Sequence, residues 1–329
     1  MEKAIEYAAS GDTILVFPGR YQISTAGLHI SQQHLTIISA QGAEKTILIG
    51  EGQNSTISFG QGSQATLRGF TITTAHAHPT RTRPLRGGGI YCAPSSAPII
   101  TGNIIRGNCA QFGGGIYCSI LSSPSIARNI ICSNHSWISG GGIFSFRASP
   151  RILNNRIIQN SSGISGGGLF CNADQAVIQN NILAENQASH SGGGCSFIDS
   201  TAISTNNTLS LNMARFGGGI FGLSGKFQMS NTILWKNRDD LCFIDIDMTS
   251  RPRFSNIEDG DYLGINGNIS QDPLFTDPNH RDYHLRPESP CRNAGDPQET
   301  FNNPDGSQNT MGAYGGPHAF PREAVSRLP

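Results

Sequence analysis

A triplet of glycines recurs along this chain, and its spacing constrains the fold more than any other feature. The triplets begin at Gly87, Gly113, Gly140, Gly166, Gly192 and Gly217. Successive copies start 25 to 27 residues apart. A fixed period of this size predicts stacked supersecondary units rather than one globular core.

Asparagines recur in step with the glycines. One set closes an apolar segment in each copy: Asn108, Asn134, Asn160, Asn186, Asn212 and Asn237. A second set lies five residues earlier, at Asn103, Asn129, Asn155, Asn181 and Asn207, and only Asn231 lies six residues before its partner. Asparagines stacked at turns can bond to the copies above and below, so we predict that both columns are structural.

Each copy contains three short apolar runs. In residues 113–138 these are 116–120, Ser125–Ala127 and Ile130–Cys132, separated by small or polar residues. Such runs are typical of strands, and no ten-residue stretch within the repeat has the spacing of a helix. We predict an all-β parallel solenoid whose coils have three strands and rise about 4.8 Å each.

Alternation along the strands predicts an inner and an outer face. We expect the first and third residues of a run to face inward: Ile90 and Cys92, Ile116 and Cys118, Ile143 and Ser145, Leu169 and Cys171, and Cys195 and Phe197. The aromatic residues between them then face outward, namely Tyr91, Tyr117, Phe144 and Phe170. An exposed ladder of rings suits a repeating sugar polymer, unless the C-terminal segment covers it.

The whole chain, 1–329, is interpreted as one β-helix domain. We predict a helical cap over 1–12, irregular early coils over 13–86, six regular coils over 87–237 and an irregular C-terminal coil or cap over 238–329. The cap is predicted from residues 2–9, the one segment with helical spacing of apolar residues, which ends at Ser10 and Gly11.

The composition argues against several classes of protein. The formal net charge is zero, which gives no indication of nucleic acid or an anionic membrane as partner. No run of 18 apolar residues is present, so we predict no transmembrane helix. The first residues lack the apolar core of a signal peptide, so the protein is either cytoplasmic or exported by a signal outside this sequence.

The eight cysteines leave the redox compartment open. Cys92 and Cys118 are expected to be close enough in neighbouring coils for a disulfide, but we favour free buried thiols that act as small apolar residues. No CxxC spacing indicates zinc.

A basic loop, residues 74–86, precedes the first triplet and holds Arg81, Arg83 and Arg86 beside His76 and His78. The turn before later triplets carries His135 and Trp137, then His190, then Arg215. We predict that the loop either binds anions or is a solvated basic loop. The turn side chains should form a ridge alongside it, on which Trp137 stacks on a sugar ring while cations hold carboxylates or sulfates, or Trp137 instead caps the edge of the core.

Charged residues also recur after the triplets, at Arg147, Asp174, Asp199 and Lys226. They predict either a ladder of surface ion pairs or, together with His135 and His190, the groups of a catalytic site. Residues 238–270 concentrate the acidic residues of the chain but lack the regular spacing of a calcium loop. We therefore predict no metal site and no cofactor, with Ca²⁺ as the one cation left open.

Several stretches resemble known β-helix proteins. The opening AIEYAASGDTILVFPGRYQI, then LTIISAQG, KTILIG and ATLRGFTIT, resembles the first coils of secreted right-handed parallel β-helix proteins of the pectate-lyase-like superfamily. The ending DPLFTDPNHRDYHLRPESPCRNAGDP and PDGSQNTMGAYGGP resembles bacterial and archaeal surface β-helix proteins. The GGGI units are similar to repeats of chlamydial polymorphic outer-membrane adhesins. The resemblance implies a right-handed helix and a secreted or cell-surface location, either alone or as part of a larger surface protein.

The resemblance does not carry an active site with it. Family members usually have acids where this chain has Asn293 and Thr310. Residues 87–237 contain only three carboxylates, Asp174, Glu185 and Asp199, too few for an aspartate cluster or an acidic calcium site.

Three hypotheses of function remain. The first is an extracellular module that binds a polysaccharide or surface glycan through the aromatic ladder or the ridge. The second is a lyase or epimerase for an anionic polysaccharide, with Arg147 or Lys226 neutralising a carboxylate and His135 or His190 as base. The third is a structural or adhesive stalk without catalysis.

Overall fold

Each coil runs through short parallel strands that stack on the coils before and after it. The computed structural model describes residues 1–31, 34–74, 86–245 and 251–320. We call the four strand positions of a coil a, b, c and d, in chain order after the glycine triplet. In-register parallel pairing links the coils, as where Ile116 pairs with Ile90 on one side and Ile143 on the other. The predicted all-β parallel solenoid is confirmed.

The a-strands are Leu28–Ile30, Ile57–Phe59, Ile90–Cys92, Ile116–Cys118, Ile143–Phe146, Leu169–Asn172 and Leu241–Ile244. The b-strands are Thr13–Val16, Thr36–Ser39, Thr66–Arg68, Ile99–Thr101, Ser125–Ala127, Arg151–Leu153 and Val177–Gln179. Two long strands, Cys195–Thr205 and Ile220–Ser230, run through both the a and b positions. The c-strands are Gly19–Ile23, Thr46–Gly50, Thr71–Thr74, Ile104–Arg106, Ile130–Cys132, Arg156–Ile158, Ile182–Ala184, Thr208–Ser210, Ile233–Trp235 and Asn256–Ile257.

A fourth position, the d-strand, is present in the regular coils. Its members are Cys109–Phe112, His135–Ser139, Ser161–Ser162 and Gln187–Ala188, which pair with one another in a separate sheet. The expectation of three strands per coil is therefore wrong here. The d-strands are rich in polar and small residues and show no continuous apolar alternation, so the sequence pattern does not reveal them.

The N-terminal helix, Glu2–Tyr7, covers the first coil as predicted. Ile5 is buried in the hydrophobic core that continues through the solenoid. The carboxylate of Glu2 accepts a hydrogen bond from the Ser24 hydroxyl at 2.8 Å, which ties the helix to that coil. Without this cover the end of the solenoid would expose unpaired strands and apolar side chains.

The predicted inward columns form the interior. Ile116 and Cys118 are fully buried and lie in the same core cluster as their counterparts in neighbouring coils. All eight cysteines are free thiols, and seven of them are buried. Of the two alternatives, disulfide or free thiol, the second is therefore found, and in the interior these residues act as small apolar side chains.

Both asparagine columns are confirmed as hydrogen-bonded ladders. Asn134, for example, donates through Nδ2 to Asn160 Oδ1 at 2.9 Å and to the Ile105 carbonyl at 2.9 Å. The irregular spacing of Asn231 also has an explanation. Thr232 takes the ladder position, because Asn207 N donates to Thr232 Oγ1, and Asn231 instead accepts from Asp296 N at 2.7 Å.

The glycine triplets are needed because the d-to-a turn brings backbones of neighbouring coils together. The first glycine, as at Gly113, has a φ of 65° in the left-handed region. A Cβ on the middle glycine would clash with backbone, since at Gly114 it would lie 2.3 Å from the His135 carbonyl oxygen.

The C-terminal segment, residues 271–320, lies along the outer face of the c-strands. A two-stranded hairpin, Phe275–Asp277 and Asp282–Leu285, packs Tyr283 against Ile158 and Ile182 in one apolar cluster. Short 3-10 turns occur at Pro278–His280 and Glu299–Phe301. The guanidinium of Arg281 donates to both oxygens of Glu185, at 2.7 and 2.8 Å. The segment therefore covers the outer face of the c-strands. The outer face of the a-strands is covered only by its own side chains.

The proposed segment limits at residues 12, 86 and 237 stay predictions. In the described ranges, no helix is long and apolar enough to cross a membrane.

Candidate functional site

The aromatic residues of the a-strands form a continuous stacked ladder. The ring centroids of Tyr91 and Tyr117 are 5.7 Å apart, those of Tyr117 and Phe144 5.1 Å, and those of Phe144 and Phe170 5.0 Å. The planes are nearly parallel, at 10° and 13° for the last two pairs. In-register pairing on the outer side of the a-strands places these rings one above another.

The expectation that these rings are exposed is wrong for three of the four. Tyr117, Phe144 and Phe170 are only 4%, 6% and 7% exposed, whereas Tyr91 is half-buried. Each ring covers a face of its neighbour, and Phe112 packs edge-on against Phe144 with centroids 5.0 Å apart. Alternation correctly predicts that these side chains lie on the outer side of the strand. It does not predict that stacked rings shield one another from solvent. A role of these four residues in ligand binding stays a prediction.

Exposed aromatic surface is found instead beside the ladder, on the d-strands. The indole of Trp137 is 48% exposed. The half-buried His135 lies edge-on to it, with ring centroids 4.7 Å apart. His135 Nδ1 is 2.9 Å from the Ser161 hydroxyl of the next coil, and burial lowers the pKa of His135. This contact holds the imidazole in place and leaves a face of the indole open.

A second exposed cluster lies three coils further along the same face. Phe216 is 37% exposed and has the His190 ring at 5.2 Å. The guanidinium of Arg215 lies 5.1 Å from the centre of the same ring. Backbone hydrogen bonds run from His190 N to Ile164 O and from Phe216 N to His190 O, which stacks these coils directly. At about 4.8 Å per coil, Trp137 and Phe216 are about 14 Å apart along the axis.

We call the set Trp137, His135, Ile164, His190, Arg215 and Phe216 the d-face ridge. The predicted ridge residues His135, Trp137, His190 and Arg215 all lie on it, but not in one column. His135 pairs with Ser161 and then Gln187, so it lies three residues out of step with His190. The sequence analysis did not predict Phe216 or Ile164, which is 49% exposed, as ridge residues. Phe216 directly precedes the triplet at Gly217, and Ile164 lies two residues before the triplet at Gly166.

Arg86 is the one basic side chain of the loop that lies within the described residues. Arg86 is exposed, and its guanidinium lies 5.6 Å from the centre of the Tyr117 ring. The predicted ligand-binding residues Arg81 and Arg83, with His76 and His78, lie outside the described residues.

The predicted ladder of charges after the a-strands is wrong as an ion-pair array. Of Arg147, Asp174, Asp199 and Lys226, none pairs with another in the described part of the chain. Arg147 instead lies 5.3 Å from the centre of the Phe146 ring. Asp174 points inward and is 2% exposed. Its Oδ1 accepts from Ala148 N at 2.8 Å, and burial raises its pKa to about 6.

These positions do not assemble the catalytic set that the sequence suggested. Arg147 follows the a-strand, whereas His135 lies on the d-strand before it. The imidazoles and the cations therefore lie at opposite edges of the a-strand face. Catalytic roles for Arg147, Asp174, Asp199, Lys226, His135 and His190 stay predictions.

Several acidic residues of the 238–270 region accept hydrogen bonds from backbone amides. Asp240 Oδ2 accepts from Glu258 N at 2.8 Å, and Asp239 Oδ2 accepts from Gly217 N at 2.7 Å. Burial raises the pKa of Asp240 to about 6. Outside residues 32–33, 75–85, 246–250 and 321–329, no group of three His, Cys, Asp or Glu lies close enough to hold a metal ion.

The stacked coils define the fold as a parallel β-solenoid. The chain belongs to the right-handed β-helix family: the family profile described as "Right handed beta helix region" matches residues 24–168 and 55–234, which together exceed half of the chain. The predicted handedness is thereby confirmed.

Two solved structures are similar to this chain. The crystal structure of pectate lyase Pel9A aligns with a TM-score of 0.56 and 13% identity, covering 95% of this chain and 90% of that one. An arginine-to-alanine mutant of the PL6 family alginate lyase AlyGC aligns with a TM-score of 0.41 and 13% identity, covering 100% of this chain and 57% of that one. At this identity the first likeness shows the fold alone. No curated protein matches the sequence.

Proposed function

We propose that the chain is an extracellular or cell-surface module that binds a polysaccharide along the d-face ridge. The observation that carries this proposal is the pair of exposed aromatic groups, Trp137 and Phe216, on one face and three coils apart. Sugar rings stack their C–H faces on such rings, and two platforms along one axis suit an extended polymer.

The charges of the ridge favour an acidic polymer. Arg215 lies at the Phe216 platform and is exposed, and no salt bridge occupies it in the described ranges. A guanidinium beside a stacking ring can hold a carboxylate while the ring holds the sugar. The likeness in fold to a pectate lyase supports the same class of ligand, since pectate is an acidic polysaccharide.

Binding rather than cleavage is the function that this geometry supports. A lyase needs a base and a carboxylate-neutralising cation on the same sugar. His135 lies against Trp137, whereas His190 and Arg215 both lie against Phe216. Among the described ridge residues, only the Phe216 ring therefore has both a base and a cation beside it. Lyase or epimerase activity is therefore the alternative, centred on His190.

Affinity gel electrophoresis on polygalacturonate, alginate and neutral polysaccharides tests the proposal. Trp137→Ala and Phe216→Ala should each weaken retardation roughly fivefold, about the value of one aromatic contact. Tyr7→Ala is the matched control, since Tyr7 is 83% exposed but lies on the N-terminal helix. Equal retardation of all three variants would contradict the ridge as the binding site.

Absorbance of unsaturated product, recorded on the same polymers, separates the alternatives. New absorbance that disappears in His190→Ala would establish the lyase. No retardation and no absorbance on any polymer would leave the structural or adhesive stalk.

A further inference from the structure

The first residues of two neighbouring d-strands place a histidine and a serine in direct contact. His135 pairs in register with Ser161 of the next coil. The distance from His135 Nδ1 to Ser161 Oγ is 2.9 Å. When the ring proton is on Nε2, Nδ1 accepts the hydrogen bond from the serine hydroxyl. A serine bonded in this way to a basic group is the usual arrangement of an activated nucleophile.

The pair is accessible, and its base is uncharged near neutral pH. His135 and Ser161 are half-buried, whereas the residues that follow them, Ser136 and Ser162, are buried. Burial lowers the pKa of His135 below its usual 6.5. Cys109 pairs with His135 on its other side, and burial raises the pKa of this thiol to about 11. The imidazole therefore has a neutral neighbour there and is in the form that can take up a proton.

The next residue of the same register column supplies a hydrogen-bond donor on the far side of the serine. Gln187 pairs in register with Ser161 and is exposed. Its side-chain amide carries two N–H donors, and neighbouring coils are about 4.8 Å apart. Ser161 therefore lies between a base and an amide donor. Such a donor can stabilise the oxyanion that forms when a nucleophile attacks an acyl group.

A second contact between a histidine and a serine shows which part of this arrangement is distinctive. His29 Nδ1 lies 3.0 Å from Ser58 Oγ, again between in-register residues of neighbouring coils. The next residue of that column is Tyr91, whose ring stacks on Tyr117. The pair therefore occurs twice among the described residues, and a side-chain amide follows the serine in one of the two columns.

We propose that Ser161, His135 and Gln187 form a site that hydrolyses acyl esters. The 48% exposed Trp137, whose ring centroid lies 4.7 Å from that of His135, is the platform for the rest of the substrate. This activity goes beyond the binding of a polymer and does not depend on it.

The reaction proceeds in two steps. Ser161 Oγ attacks the carbonyl carbon while His135 Nδ1 takes the hydroxyl proton, and Gln187 Nε2 donates to the oxyanion. The bond to the alcohol oxygen of the ester then breaks, and His135 gives its proton to that oxygen. Water next attacks the acyl-serine, with His135 taking the proton of the water and returning it to Ser161 Oγ as the acyl bond breaks. The products are an alcohol and a carboxylic acid.

Reaction of the full chain with a fluorophosphonate probe tests the serine without a natural ester. An activated serine displaces fluoride from phosphorus, and peptide mapping by mass spectrometry identifies the labelled residue. We expect label on Ser161, and a labelling rate roughly tenfold lower or less in His135→Gln. Ser58→Ala, which removes the other histidine-bonded serine, is the matched control and should leave the labelling of Ser161 unchanged. No label on Ser161, or equal labelling in His135→Gln, would overturn the proposal.

Hydrolysis of p-nitrophenyl acetate measures turnover at the same site. Ser161→Ala should reduce the rate to that of the buffer. Gln187→Ala should lower kcat roughly tenfold or more with little change in KM, because it removes a contact made in the transition state. Thermal unfolding checks that these variants fold. An unchanged rate in Ser161→Ala would overturn the proposal. Since the tests of Trp137 and Phe216 read polymer retardation instead, failure of the ester site and failure of the ridge are distinguishable.

Discussion

The two apolar outer faces of this solenoid are buried by different means. On the c-strand face, Ile158 and Ile182 lie beneath Tyr283 and other side chains of the C-terminal segment. On the a-strand face, Tyr117 and Phe144 are buried by the rings stacked above and below them. The c-strand face is therefore buried by a separate segment of the chain, whereas the a-strand face is buried by side chains of the repeating coils themselves.

This difference separates two kinds of stability. A stacked ladder gains a contact with each added coil and is disrupted only with the coils that carry it. A docked segment can detach as a unit while the coils beneath it stay paired, because its contacts are independent of the coil hydrogen bonds. The two faces should therefore respond differently to substitution and to pH.

The largest expected effect is on the docked face. Tyr283→Ala should remove about 3–5 kcal/mol from the docking of the C-terminal segment, because it leaves a cavity under the hairpin. Hydrogen exchange should increase over residues 271–320 and hardly at all in the a-strands. Tyr7→Ala, at an exposed position, is the control. An equal increase in both regions would mean that the two faces unfold together, which contradicts the comparison.

A substitution in the ladder should act on the whole solenoid. Phe144→Ala removes a ring that stacks on Tyr117 and Phe170, at 5.1 and 5.0 Å. We expect the free energy of unfolding to fall by about 3 kcal/mol, from lost burial and two lost ring contacts. Chemical denaturation measures this loss. The 67% exposed Phe17 provides the control Phe17→Ala, and a loss no larger than the control's would show that the ladder is not a stabilising column.

The free energy of unfolding should depend on pH through Asp174, in the turn that follows the a-strand Leu169–Asn172. Burial raises the pKa of Asp174 from 3.8 to about 6, so the folded state holds its proton more tightly than the unfolded state. The stability from the protonated form is present below pH 3.8 and is lost as pH rises through about 6. Asp174→Asn should flatten this dependence, by up to about 3 kcal/mol near neutral pH, since one pKa unit is about 1.4 kcal/mol. Thermal unfolding across this range, with the exposed Asp199→Asn as control, measures it.

Acid should act with the opposite sign on the docked face. Hydrogen bonds from Arg281 lower the pKa of Glu185 below its usual 4.5. The stability from this pair is present above the unfolded pKa and is lost as pH falls through the lower folded value. Hydrogen exchange of residues 271–320 should therefore increase in acid, and Glu185→Gln should reduce this dependence to the part that comes from Asp277, whose pKa a hydrogen bond from His280 also lowers. An unchanged acid response in that variant would place the titrating group elsewhere.

The sequence predicts the features that recur in every coil, and these features account for most of the solenoid. The column of Ile116, the Asn134 ladder and the Gly114 turn all follow from period and alternation. What covers an outer face is not periodic, so it is harder to predict. A signal for the docked face does exist: the c-strand Ile182–Ala184 is apolar at every position, which is typical of a strand buried on both sides.

The candidate sites are less predictable because residue type does not recur along their columns. His135, Ser161 and Gln187 share one register column, but they differ in type and lie on d-strands that the sequence pattern does not reveal. The d-face ridge was predicted in part, since Trp137 and His190 recur before the triplets. Its residues do not form one column, because His135 lies five residues before its glycine triplet whereas His190 lies two before its own.

The smallest expected effect tests whether the ladder depends on cover from outside the coils. Arg86→Gln removes a guanidinium 5.6 Å from the centre of the Tyr117 ring, which should cost about 0.5–1 kcal/mol. Arg68→Gln, at an exposed b-strand position, is the control, and thermal unfolding of the two variants measures the difference. A loss above about 2 kcal/mol would exceed a single cation–π contact. The a-strand face would then also rely on a stretch of chain outside its own strands, and the two faces would differ only in which stretch covers them.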